Sequence, residues 1–123
     1  MTPSFRNPET IPVPAGHYHH VACGGGLIFV SGQLPAGVSP QASFEEQAAQ
    51  AIHNMLACLA SGGGSPASLL QVTVYVVDVA NWPRFNRVYA EIMGEARPAR
   101  AVVPVPELHY GYAVEITAVA VPA

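Results

Sequence analysis

The hydrophobic and polar positions change period at glycines and prolines, and each change marks an element. Residues 17–23 and 27–31 are short β-rich runs separated by Gly24-Gly25-Gly26. Two such runs joined by a glycine turn read as a hairpin. Gly32 and Gln33 close it, and residues 35–40 read as loop. From residue 43 the pattern becomes helical, with Ala48, Ala51, Ile52, Met55, Leu56 and Leu59 on one face. Ser43 followed by Glu46 is a capping box that opens this helix, and Gly62-Gly63-Gly64 stops it near Ala60. These glycines do not read as a phosphate loop, since no Gly-Lys-Ser/Thr follows them. Residues 70–77 alternate as a half-buried strand. Asp78 or Asn81 caps a second helix that accepts Pro83 in its first turn, carries Phe85, Val88, Tyr89 and Ile92 inward, and ends at Gly94. Residues 99–105 form a strand that Pro104 restricts to a sheet edge or a bulge. Residues 112–121 form the last strand. Residues 1–16, interrupted by Pro3, Pro8, Pro12 and Pro14, are expected to be irregular.

The order ββαβαββ predicts an α+β fold, with a mixed sheet and both helices on one face. A length of 123 residues fits one domain spanning 1–123. The other sheet face then needs a cover, and composition says what kind. Only 11% of residues are charged, against about 25% in a typical soluble protein. A small, charge-poor chain covers such a face most simply with a copy of itself, so a homo-oligomer is expected. Net charge is −3 and all five basic residues are arginines, which leaves no basic stripe for nucleic acid. No apolar run reaches the roughly 18 residues of a membrane span. The N-terminus lacks the apolar core of a signal peptide. Cys23 and Cys58 have no Cys-x-x-Cys spacing and read as free thiols, so a cytoplasmic setting is expected.

Two charges stand out against this background. Arg100 opens an apolar strand and Glu115 sits alone within another. A charge in such a run is costly unless paired or put to use. Glu115 is either an edge-strand carboxylate facing water or a half-buried one tuned for proton transfer. Arg100 is either a surface arginine near a turn or a fork for a substrate carboxylate. Arg97 lies in the turn and faces solvent. Ser31 either bonds the backbone at a strand end or touches a ligand, with Gly32 admitting that ligand close to the chain. His17, His19 and His20 invite a metal reading, and His17 and His19 share a strand face, yet no cysteine or acid nearby completes a site; the three read as surface or ligand-facing histidines, and no metal is expected. Trp82, Phe85 and Tyr89 read as core. Asn86 lies off their stripe, toward solvent or a ligand.

Taken in order, the motifs Gly16-His17-Tyr18, Phe29-Val30-Ser31-Gly32-Gln33, residues 72–78, Phe85-Asn86-Arg87-Val88-Tyr89, Pro98-Ala99-Arg100 and residues 114–121 are similar to those of one family. The chain resembles the RidA/YjgF family of reactive-intermediate deaminases, formerly labelled L-PSP endoribonucleases, from about residue 16 to 121. That resemblance implies a chorismate-mutase-like fold. It also implies a homotrimer whose sheets form an inner barrel, with ligand sites in clefts between subunits. It implies hydrolysis of enamines and imines, such as 2-aminoacrylate, to 2-keto acids and ammonia without metal or organic cofactor. By the same resemblance Arg100 holds the substrate carboxylate, Glu115 positions or activates water, and Tyr18, Ser31, Gly32 and Asn86 line the pocket. The chain departs from the pattern after the arginine. Ala101 and Val102 stand where active members usually carry Ser or Thr and then often Cys, which makes the Val102 side of the pocket more apolar. Leu108-His109-Tyr110 replaces a Leu-Pro-Lys-like turn and brings His109 or Tyr110 to the pocket mouth. These departures suit a larger or more apolar imine. Two other readings stay open: a non-catalytic small-molecule binder or chaperone-like trimer, and a ribonuclease, against which the absence of lysine argues.

Overall fold

The computed structural model describes residues 2–123. Its elements in chain order are β1 (Ser4–Arg6), β2 (Val21–Gly24), β3 (Leu27–Gln33), α1 (Phe44–Ser61), β4 (Leu69–Val77), α2 (Trp82–Met93), β5 (Ala99–Val105) and β6 (Val114–Ala120). The strands form one mixed sheet in the order β1-β2-β3-β6-β4-β5. Only β4 and β5 run parallel, joined by the crossover through α2. Strand β5 is an edge, so Pro104 costs no ladder bond on its free side. No helix among the described residues is long and apolar enough to cross a membrane.

Alternation along the strands sorts side chains onto two faces. Ile28, Val30, Val72, Val74, Val76, Val114 and Ile116 are buried against Ala48, Ala51, Ile52, Met55 and Leu59 of α1 and Phe85 of α2. Both helices thus lie on one face, as the sequence pattern requires. Helix α1 starts where expected, with the Glu46 N–H donating to Ser43 Oγ at 3.1 Å. Arg84 ties α2 to α1 through two bonds to Glu45, Nη2 to Oε1 at 2.6 Å and Nε to Oε2 at 2.9 Å. That guanidinium holds the Glu45 carboxyl down to about 2, so the contact persists until pH falls through that value. Neither helix covers the opposite sheet face, and among the described residues Phe29 and Val103 are exposed there.

Four expectations are corrected. Residues 4–6 are not irregular; they pair with β2, Ser4 opposite Cys23 and Arg6 opposite Val21. Three exposed residues between prolines carry no alternation, so nothing in the sequence marks them. The first hairpin strand begins at Val21 rather than residue 17. The reason is Asn7, whose Oδ1 accepts from the His20 N–H at 2.8 Å and whose Nδ2 meets His19 Nδ1 at 3.1 Å. Side-chain bonds take the place of a ladder there, so His17 and His19 share no strand face. Trp82 is not core; it opens α2 at the surface and is 39% exposed. The last strand begins at Val114, because Tyr112 belongs to a turn, its hydroxyl donating to the Val38 carbonyl at 2.7 Å. The second-helix cap also divides: Asp78 caps the short 3₁₀ turn at residues 79–81, and Asn81 accepts from Arg84 instead.

Candidate active site

A cleft of about 790 Å³ opens beside Glu115. Its polar wall contains Tyr18, Ser31, Gly32 and Glu115, four of the residues singled out in the sequence. A β-bulge brings them together. Strand β3 pairs Val30 with Ala118 and Gln33 with Ile116, so one extra residue is inserted between them. The bulge lets Val30 and Gln33 both turn inward while Ser31 and Gly32 stay on the outer side. Thr117 Oγ1 donates to the Val30 carbonyl at 2.6 Å beside the break.

Gly32 leaves the room in which its neighbour's carboxylate sits. A Cβ at this position would lie 2.8 Å from Glu115 Oε2 and 3.0 Å from its Cδ. The carboxylate therefore rests against bare backbone. It is half-buried and makes no hydrogen bond or ion pair with any described residue. Burial raises its pKa above the ordinary carboxylate value, and the positive charge of nearby His109 offsets part of that rise.

Below the cleft runs a polar chain built on His20, the last of the three histidines, and Gln33, which closes the hairpin. His20 and Gln33 are both buried. The Pro12 carbonyl can only accept, so His20 Nε2 carries the proton and donates to it at 2.8 Å. His20 Nδ1 then accepts from Gln33 Nε2 at 3.1 Å. This pins the proline-rich segment 11–16 over the cleft. The other wall is held by buried amides on α1. Asn54 Nδ2 donates to the carbonyls of Leu34 and Ala36, and Gln47 Nε2 donates to those of Pro40 and Ala42. Gln47 and Asn54 lie seven apart on the apolar stripe of α1, a polar interruption that is visible in the sequence.

Arg100, Asn86 and Val102 are elsewhere. The register pairs Val72 with both Arg100 and Ala118, on the helix side of the sheet. It pairs Tyr75 with both Glu115 and Val103, on the bare side. Arg100 and Glu115 therefore project from opposite faces and do not meet within one chain. Arg100 is nonetheless well aimed. Its Nη2 donates to Asn86 Oδ1 at 2.9 Å, and its guanidinium sits 5.0 Å above the Tyr89 ring. Asn86 and Tyr89 are one turn apart on α2, so one helix face supplies both supports. The remaining guanidinium donors have no partner among the described residues. The Tyr89 hydroxyl is buried without a hydrogen bond, and burial raises its pKa. Val102 packs at the edge of the core beside this group. No cluster of three or more His, Cys, Asp or Glu among the described residues is placed to hold a metal ion.

The sequence profile of the endoribonuclease L-PSP family matches residues 9–122. The chain belongs to this family, that of YjgF and RidA. A RutC family protein of Pyrococcus horikoshii is 34% identical over 116 residues, covering 91% of this chain and 92% of that one. The YjgF gene product of Escherichia coli superposes with a TM-score of 0.89 at 28% identity, covering 98% of this chain and 99% of the other. TdcF of Escherichia coli, solved with bound serine, gives a TM-score of 0.86 at 27% identity and covers 96% and 99%. Family membership accounts for the α+β architecture and for the ordered motifs from Gly16 to Val121.

Proposed function

We propose that this YjgF/RidA-family protein hydrolyses enamine and imine forms of small amino-acid-derived carboxylates to 2-keto acids and ammonia. The observation that carries the reading is the carboxylate of Glu115, half-buried, unpaired and seated against Gly32 at a cleft. In this reading the chain assembles as a homotrimer through its bare sheet face. Each cleft is completed by Arg100 of a neighbouring copy, whose fork takes the substrate carboxylate. Asn86 and Tyr89 hold that fork, and Val102 lies beside it. Tyr18, Ser31 and Gly32 line the opposite wall. Serine bound in TdcF supports a small amino-acid-like ligand for this fold. The free thiols of Cys23 and Cys58 suit a reducing, cytoplasmic setting.

The chemistry asks little of the protein. An imine carbon is already electrophilic, so orientation and one placed water replace a covalent nucleophile. Glu115, with its pKa raised, takes a proton from that water as its oxygen bonds to carbon. No metal or organic cofactor enters these steps. A binder without chemistry is the second reading, favoured by Ala101 and Val102 beside Arg100. A ribonuclease is disfavoured, because five arginines and no lysine make no basic stripe for a phosphate backbone.

The direct test supplies 2-iminobutyrate from a threonine dehydratase and follows 2-ketobutyrate release. Acceleration by the protein supports the reading; none across a panel of imines overturns it. Sedimentation at micromolar concentration is expected to give a trimer, and a monomer would refute the shared cleft. Gly32→Ala is expected to lower kcat about 100-fold by displacing the carboxylate. Its melting temperature should stay near that of the unaltered protein, because the clash falls on a side chain rather than on backbone.

A further inference from the structure

Imine hydrolysis moves two protons in its first step, one off water and one onto nitrogen. Glu115 accounts for the first only. The titratable groups that line its cleft are Tyr18, His20, His109, Tyr110 and Glu115. His20 is committed on both ring nitrogens, to Pro12 and to Gln33. The phenols of Tyr18 and Tyr110 are weaker acids than an imidazolium, and so poorer proton donors to nitrogen. His109 remains. Its ring is exposed and makes no hydrogen bond among the described residues, and imidazole is the side chain that exchanges protons near neutral pH.

Its placement is specific. His109 enters the cleft from the turn between β5 and β6, six positions ahead of Glu115 on β6. The two groups line one cavity without forming an ion pair among the described residues. The turn is held in an uncommon form: Tyr110 has φ 62°, followed by Gly111 at φ 77°. A non-glycine residue there costs on the order of 1 kcal/mol. The Tyr112 N–H donates to the His109 carbonyl at 3.3 Å, and the Tyr112 hydroxyl clamps the turn to Val38. The charge of His109 also reaches Glu115, where it counters burial.

Resting on the deaminase reading above, we infer that His109 is a second catalytic residue, the proton donor to the substrate nitrogen. Water oxygen bonds to the imine carbon while Glu115 takes the water proton. The C=N electron pair moves to nitrogen, which takes the proton of the His109 imidazolium. In the second step the roles exchange. The Glu115 carboxyl gives its proton to the amine nitrogen, and His109 takes the hydroxyl proton. The C=O bond forms, the C–N bond breaks with its electron pair on nitrogen, and ammonia leaves. Imine and water become ketone and ammonia, and both side chains return to their starting states.

The test uses the full chain with His109→Asn and His109→Ala, and measures the pH profile of kcat on dehydratase-generated 2-iminobutyrate. Each variant is expected to lose about 100-fold in kcat. Each should also lose the alkaline limb that a proton donor imposes on the profile. Added imidazole should restore part of the rate to His109→Ala and none to Glu115→Ala. If the unaltered protein accelerates the reaction and both variants keep its kcat and profile, His109 has no such role and the deaminase reading stands. If the unaltered protein itself is inert, the deaminase reading fails and takes this inference with it.

Discussion

Arg100→Ala lowers kcat/KM for 2-iminobutyrate by about 100- to 1,000-fold, if the neighbour's guanidinium holds the substrate carboxylate. Removing one partner of a desolvated charge pair costs roughly 2–5 kcal/mol, and about 1.4 kcal/mol is tenfold in rate. The loss should fall largely on substrate capture. The fold should not suffer, because Arg100 is exposed and its supports sit on α2. Arg100→Lys should recover only part of the activity, since an ammonium cannot form the two-pronged contact. A stronger form of the experiment uses the opposite-face geometry. Arg100→Ala and Glu115→Ala chains, each inactive alone, are dissociated and reassembled together. With each cleft drawing one residue from each of two chains, about a quarter of the clefts regain both groups. Recovered activity in the mixture supports the shared cleft, and a mixture as inactive as its parents excludes it.

Glu115→Gln removes the proposed base while keeping its shape, and kcat should fall by about 100- to 10,000-fold. The pH dependence follows from the burial of this group. Desolvation raises its folded-state pKa above the unfolded one. Activity of the unaltered protein should therefore climb as pH rises through that raised value, and the amide variant should lack this limb. Stability runs the other way. A raised carboxyl favours the fold below the unfolded value, and the advantage is lost as pH rises through the folded one. At neutral pH the fold carries the cost of a half-buried, unpaired charge, so Glu115→Gln should melt at or above the temperature of the unaltered protein. Thermal melts and keto-acid release on one preparation check both signs. A variant that loses stability along with activity would contradict this account.

The helices and inner strands were legible because their signals are periodic and local. Ala48, Ala51, Ile52, Met55 and Leu59 mark α1 without outside information, and Pro104 narrowed β5 to an edge or a bulge, of which the edge is found. The short strand β1 was not legible, since Ser4-Phe5-Arg6 acquires its conformation from β2. The early start assigned to β2 has the same origin: Asn7 satisfies the backbone near His20 across a gap of 13 residues. The site was half legible. Arg100 and Glu115 announced themselves as charges in apolar runs, and Asn86 as a residue off its stripe. Their placement on opposite faces depends on how β5 and β6 each register with β4, and parity within a strand does not carry that register. The bulge at Ser31-Gly32 was hinted at only by the glycine. Buried polar residues were the underused signal, since Gln33 lines the cleft and Asn54 holds Leu34 and Ala36 in its wall.

The contact between Gly32 and Glu115 also separates what folding needs from what the site needs. The space that a side chain at position 32 would occupy is already taken by the carboxyl group at position 115. A larger residue there would push the end of Glu115 out of its seat and leave the sheet in place. The missing side chain is therefore an address for the acid, written into a strand that could be built without it.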